Sequence, residues 1–401
     1  MLWTASADDS KVLFTDEQQL TQDSTAAEES PDLYECSIAQ IAGKLACELR
    51  DLTAHAGESA NVHGVLGVSE DGEYVYFAAQ GALASGATPQ ECYRFEPTGC
   101  NLYLAHDGET RFVATLSSES SEDAKDWANP AGAAEVSASG SLVFVSNQSL
   151  TGYDSMGSAC VEPRSGVTRP GACNEVFLYE PDGSHLFCVS CSSSGEPPAG
   201  TTRTESYLPG NESTAYQMRW ISADGDQVFF DSGERLVSRD TNGVEDVYEW
   251  ERGGAGSCKT EPGCIYLLSS GSGTSGSYLL DASSNGDDVF IVSRAPLVQE
   301  GQNVDYAIYD ARVDGVKLVS PPACTGTGCQ GIAALPPTFA TPSSVTFNGV
   351  GNFPAPEPTT VKPKRKTAKC KKGFVKRHGK CAKSKTKKRP GKAKKPAKGR
   401  K

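Results

Sequence analysis

Ser222-Ala223-Asp224-Gly225-Asp226-Gln227-Val228-Phe229-Phe230 reads as a polar turn running straight into a buried strand. Asp-Gly supplies the positive φ that a tight hairpin turn requires. The β-branched and aromatic run after it suits a strand with little access to water. The pattern recurs at 6–14, at 69–77 with the turn Asp71-Gly72, at 137–145, and at 283–291 with the turn Asn285-Gly286. The copies start about 61–85 residues apart, a period that signals a tandem repeat rather than a single sheet.

A second hairpin follows in each unit. Asp246-Val247-Tyr248-Glu249-Trp250 pairs across a loop with Ile265-Tyr266-Leu267-Leu268, and Asn101-Leu102-Tyr103-Leu104-Ala105 turns through His106-Asp107-Gly108-Glu109 into the strand that follows. Val176-Phe177-Leu178-Tyr179 returns as His185-Leu186-Phe187-Cys188, and Tyr306-Ala307-Ile308-Tyr309 as Val316-Lys317-Leu318-Val319. Four strands per unit in tandem is the arrangement of a propeller blade. The sequence therefore predicts an all-β chain, a β-propeller of about five four-stranded blades near 1–58, 59–130, 131–210, 211–275 and 276–325. Five blades either close alone or form part of a larger ring. A Pro-rich linker over 326–360 and a disordered Lys-rich tail over 361–401 follow.

The charge is split along the chain. Of 38 basic residues, 21 lie in 361–401, where there is no acid; the remaining 17 face all 50 acids in the first 360 residues. Such a tail buries almost nothing and repels itself, so it is read as disordered. It attracts anionic polymers, with cell-wall polymers preferred over docking on the acidic body, and that over nucleic acid; the acidic body itself repels nucleic acid and anionic membranes. No apolar run approaches the roughly 18 residues of a membrane span.

The fourteen cysteines fall into seven neighbouring pairs: Cys36/Cys47, Cys92/Cys100, Cys160/Cys173, Cys188/Cys191, Cys258/Cys264, Cys324/Cys329 and Cys370/Cys381. Local disulfides in an oxidising compartment are preferred over zinc sites, because the spacing is irregular and no His accompanies the pairs, and over free thiols. Cys188-Val189-Ser190-Cys191 has redox spacing, yet it lies at the end of a strand rather than at a helix start, and is read as a clamp. The chain opens Met1-Leu2-Trp3-Thr4-Ala5-Ser6 without a basic or apolar leader. It is therefore read as an N-terminally incomplete copy of a longer secreted or envelope protein.

The stretch Trp220–Gly225, with Val228-Phe229-Phe230 and Asp240-Thr241-Asn242-Gly243-Val244-Glu245-Asp246-Val247-Tyr248, resembles the Tol-B-type, WD40-like propeller repeat. The resemblance covers roughly residues 1–320 and implies a propeller whose channel and loops contact a protein or glycan partner. The segment from Cys370 to Cys381 resembles the tails of secreted repeat proteins of high-GC Gram-positive bacteria. Tol-B-type propellers also resemble the gating domains of prolyl-oligopeptidase-like peptidases, so a truncated regulatory propeller of a larger enzyme is the alternative. No Gly-x-Ser-x-Gly elbow occurs, and no catalytic residue is assigned. Asp240, Asn242 and Asp246 are spaced as in some calcium loops but lack the twelfth-position Glu; self-bonded Asx turns are the competing reading. No other cofactor is expected.

Overall fold

The computed structural model describes residues 1–117 (except 42, 55–58 and 94–97), 123, 127, 134–161, 170–195, 197–198, 206–207, 218–298, 305–313, 370–372, 374–377 and 380–383. The chain forms two compact units, Met1–Leu318 and Val319–Lys401. The first is a β-propeller of five consecutive antiparallel sheets. Blade 1 orders β1 (Leu2–Ala5), β2 (Lys11–Asp16), β3 (Asp32–Ile41) and β4 (Lys44–Asp51) from inside to outside. Blade 2 does the same with β5 (Val62–Val68), β6 (Val75–Ala79), β7 (Gly99–His106) and β8 (Glu109–Ser117).

Blade 3 uses β9 (Glu135–Val136), β10 (Leu142–Ser146), β13 (Glu175–Glu180) and β14 (His185–Cys188). A separate hairpin, β11 (Met156–Val161) and β12 (Pro170–Ala172), is inserted in it and carries the extra length of the longest repeat. Blade 4 comprises β15 (Ser206–Tyr207), β16 (Gln227–Ser232), β17 (Asp246–Arg252) and β18 (Gly263–Leu267). Ser206 and Tyr207, a few residues before the sequence boundary near residue 210, pair with Ser232 and Asp231 of blade 4. Too few apolar residues precede Trp220 for a pattern to mark that strand. Blade 5 shows β19 (Ser277–Ala282), β20 (Asp288–Ser293) and β21 (Ala307–Arg312). Its expected fourth strand at 316–319, and the pair Cys324/Cys329, lie outside the described residues.

Alternation explains why the second strand of a blade reads as a continuous apolar run. In β6, Tyr76 and Ala78 join the core shared with blade 3, while Val75, Phe77 and Ala79 join that shared with blade 1. In β10, Leu142 and Phe144 face blade 2, and Val143 and Val145 face blade 4. Successive side chains leave opposite faces, so a blade covered on both sides needs apolar residues at every position. An aromatic pair sits directly across from the second to the third strand: Phe14–Tyr34, Phe77–Tyr103, Phe144–Phe177 and Phe230–Tyr248, with ring centroids 5.5–5.9 Å apart. Such pairs fix register.

These cores join blade 1 to 2, 2 to 3, and 3 through 4 to 5. None among the described residues joins blade 5 to blade 1, and Leu2 and Ile38 on the first blade and Phe290 and Ile308 on the fifth are exposed.

In the second unit, β22 (Phe374–Arg377) and β23 (Lys380–Lys383) form a hairpin held by Cys370–Cys381. The remainder of the basic tail lies outside the described residues. No helix among the described residues is long and apolar enough to cross a membrane.

Candidate functional site

The repeat turns form one rim of the propeller. In four of the five, the leading serine donates to the third residue: Ser6 to Asp8 at 2.7 Å, Ser69 to Asp71 at 2.6 Å, Ser222 to Asp224 at 2.6 Å, and Ser283 to Asn285 at 2.8 Å; in blade 3 the hydroxyls of Ser137 and Ser139 share a hydrogen bond at 2.9 Å. The same hydroxyl accepts the N–H that opens the strand, from Lys11, Tyr74, Gln227 and Asp288 at 2.9–3.0 Å. Gly225 takes φ 81° there, while blade 1 puts Asp9 in the same conformation at 58°. Hydrogen bonds from the Ser10 and Ser6 hydroxyls hold the Asp8 carboxyl down at about 2.

The turns also link the blades. Ala7 N–H donates to the Glu70 carbonyl at 2.8 Å, Ser139 to Ala223 at 3.0 Å, and Ala223 to Ser284 at 2.7 Å. Lys11 of blade 1 pairs with Glu73 of blade 2 at 2.6 Å. Arg252 of blade 4 pairs with Asp226 at 2.5 Å and with Glu180 of blade 3. Asp71, Gly72, Asp224, Gly225, Asn285 and Gly286 are therefore the scaffold of this rim.

The innermost strands converge on a cavity of about 610 Å³ lined by residues from all five blades, among them Trp3, Ser69, Glu135, Arg219, Asp281 and Ser284. It is the propeller channel. Its walls are largely small residues such as Ala5, Gly67, Ala134 and Ala282. Innermost strands have no neighbour on the channel side, so backbone donors and acceptors face the cavity. Arg219 lies 3.7 Å from Glu135 Oε1. Glu135 Oε2 accepts the Trp220 N–H at 2.5 Å, and Asp281 Oδ1 accepts the N–H groups of Arg219 at 3.0 Å and Ala282 at 2.9 Å. Burial pushes Glu135 up to about 7, against the pull of the Trp220 N–H and Arg219. The channel thus carries one guanidinium and a carboxyl that changes charge near neutral pH. Neither Arg219 nor Glu135 has a signature in the sequence, because Glu135 sits on a two-residue strand and Arg219 lies outside any strand.

The opposite rim holds buried acids in a recurrent cap. The second residue of the third strand donates its N–H to a hydroxyl: Leu33 to Thr53 at 3.1 Å, Val176 to Ser190 at 2.8 Å, and Val247 to Ser269 at 3.1 Å. That hydroxyl then donates to a carboxylate, Asp51 at 2.8 Å, Glu175 at 2.5 Å, and Asp246. The calcium candidate belongs to this rim. Asp240 Oδ1 accepts the Asn242 N–H at 3.2 Å and Oδ2 the Tyr248 hydroxyl at 2.5 Å. Asn242 accepts the Val244 N–H at 3.1 Å, and Asp246 accepts from Ser269 and Gly271. These oxygens accept from protein donors, in the manner of Asx turns, while Asp246 Oδ2 is buried without a hydrogen-bond partner.

Six of the seven cysteine pairs are disulfides between sequence neighbours: Cys36–Cys47, Cys92–Cys100, Cys160–Cys173, Cys188–Cys191, Cys258–Cys264 and Cys370–Cys381. None of the described cysteines is free.

No protein-family model matches the chain, and no curated protein matches it. Among solved structures, the tricorn protease aligns with 76% of this chain at 12% identity and a TM-score of 0.34. TolB from Acinetobacter baumannii aligns with 72% of this chain at 11% identity and a TM-score of 0.25. The chain spans 25% of the length of the first and 49% of the second.

Proposed function

We propose that this chain is a binding scaffold of the cell envelope or secreted space, whose channel holds a segment of a protein or glycan partner and does no chemistry on it. The observation that carries the reading is the 610 Å³ channel, to which every blade contributes and in which Arg219 is the one basic group beside the acids Glu70, Glu135 and Asp281. Unpaired backbone edges suit an extended or hydroxyl-rich ligand, and a lone guanidinium suits a carboxylate on it. The disulfides fit an oxidising compartment. The polycationic tail adds a second, sequence-tolerant contact to anionic wall polymers.

The test is a screen of immobilised peptides and glycans against residues 1–318, alone and as Arg219→Ala. Ligands that bind the parent and lose about tenfold or more with Arg219→Ala support the channel. If every ligand found binds both proteins equally, the channel is not the site.

A further inference from the structure

Blade 3 departs from blade 4 at one point of the cap. Blade 4 closes it with the shorter Asp246 at the first position of its third strand, whereas blade 3 has Glu175 at the same register, one methylene longer. The cap works without that methylene. What the extra length reaches is the Cys188–Cys191 disulfide: a Glu175 carboxylate oxygen and both sulfurs lie within 4.8 Å of one another. Glu175 is 1% exposed, its Oε2 accepts from Ser190, which sits between the two cysteines, and its Oε1 is buried without a hydrogen-bond partner. Both cysteines are only half-buried, so a thiol can reach them from outside.

We propose that Cys188–Cys191 is a thiol–disulfide exchange site for a dithiol protein partner, with Glu175 as its proton donor and acceptor. A thiolate of the partner bonds to one Sγ, the Cys188–Cys191 bond breaks, and the displaced Sγ leaves with the electron pair. Glu175 gives that sulfur its proton. The partner's second thiolate then attacks the mixed disulfide, freeing the other cysteine. The partner dithiol is oxidised by two electrons and the Cys188/Cys191 pair is reduced by two. Run backwards, Glu175 takes the proton from the attacking thiol. A strand end offers no helix dipole to stabilise a thiolate, so a neighbouring acid is the available means of assisting the leaving sulfur.

Burial pushes Glu175 up to about 8, with Ser190 pulling it down and Glu234 pushing it further up. Glu234, itself raised to about 7 by burial, and Tyr153, raised by burial and by Glu234 and Glu175, are the other titratable groups facing it. Glu175 therefore holds its proton at neutral pH and releases it above about pH 8.

The experiment uses the full chain, dithiothreitol as the dithiol, acid quench, alkylation and peptide mapping. At about pH 6.5, Cys188–Cys191 is expected to open at least about tenfold faster than Cys36–Cys47, whose Cys47 is exposed. Glu175→Asp keeps the cap as blade 4 does and withdraws the acid; Glu175→Gln keeps the length and removes it. Each should slow the opening of Cys188–Cys191 about tenfold near pH 6.5, leave Cys36–Cys47 unchanged, and converge on the parent rate near pH 9. Equal rates for parent and variants near pH 6.5, or a Cys188–Cys191 bond no faster than Cys36–Cys47, would overturn the proposal. Should neither variant fold, the parent decides alone: its rate per dithiothreitol thiolate must fall above about pH 8 for Cys188–Cys191 only, and a flat ratio refutes the role of Glu175.

Discussion

The Tyr76 hydroxyl of blade 2 donates to the Gly140 carbonyl in the turn of blade 3 at 2.6 Å, out of reach of water. Gly140 holds φ 88°, and a Cβ there would meet the Tyr74 ring at 2.5 Å. Two variants separate these contacts. Tyr76→Phe strands a buried carbonyl and should cost about 1–3 kcal/mol. Gly140→Ala adds backbone strain to a clash with Tyr74 and should cost more. Urea unfolding of residues 1–318 checks both; equal stability of parent and Gly140→Ala would show that this turn does not lock the two blades.

Stability should fall as pH rises from about 5 to about 8. Burial lifts Asp51 to about 6, Glu135 to about 7 and Glu175 to about 8, and also raises Asp231 well above the usual carboxylate range. Each is neutral in the fold where the unfolded chain has already ionised. The stabilisation is complete below the unfolded carboxyl range and is lost as pH climbs through the folded values. Glu135 alone accounts for about 3 kcal/mol at ~1.4 kcal/mol per unit. Asp8, held at about 2, acts only at more acid pH. Thermal melts at pH 5 and 8 should show the lower midpoint at pH 8, and Glu135→Gln should shrink the gap; a higher midpoint at pH 8 contradicts this account.

Non-reducing peptide mapping of protein from an oxidising host should recover the six neighbour pairs together with Cys324–Cys329. Cys160–Cys173 spans 13 residues, the longest separation among them. Replacing both by Ala should therefore destabilise most, by about 3 kcal/mol on the loop-closure model. Links between different blades would refute the assignment.

Removing 361–401 should leave the melting temperature of the propeller unchanged and abolish binding to anionic wall polymers. That binding should weaken steeply between about 50 and 200 mM salt, since each Lys or Arg contact releases a counterion. Salt-independent binding that survives the deletion would mean the tail is not the anchor.

The second and third strands of each blade were legible because they combine a turn signal with a run of large apolar residues, as at Asp224–Phe230 and Asp246–Trp250. The innermost strands were not. Glu135–Val136 and Ser206–Tyr207 are two residues each, too short for a period to show. The channel charges Glu135, Arg219 and Asp281 are consequently brought together by blade packing from positions up to 146 residues apart, which no local pattern reveals. The rim caps escaped for the same reason: Ser190 and Glu175 meet only because β13 and β14 pair in register. The disulfides were legible because both partners of each lie no more than 13 residues apart in sequence.

That locality has a mechanical side. Every disulfide among the described residues of the propeller closes within a single blade, so among them only the main chain ties one blade covalently to the next. Under tension applied through the chain ends, blades can peel away one at a time, each held to its neighbour only by packing, turn hydrogen bonds and ion pairs. The bridged loops cannot pay out their length, so each released blade lengthens the tether by less than its residue count and keeps a knotted remnant of its own register. A propeller built this way yields in steps and retains, in each step, the crosslinks from which the blade can re-form.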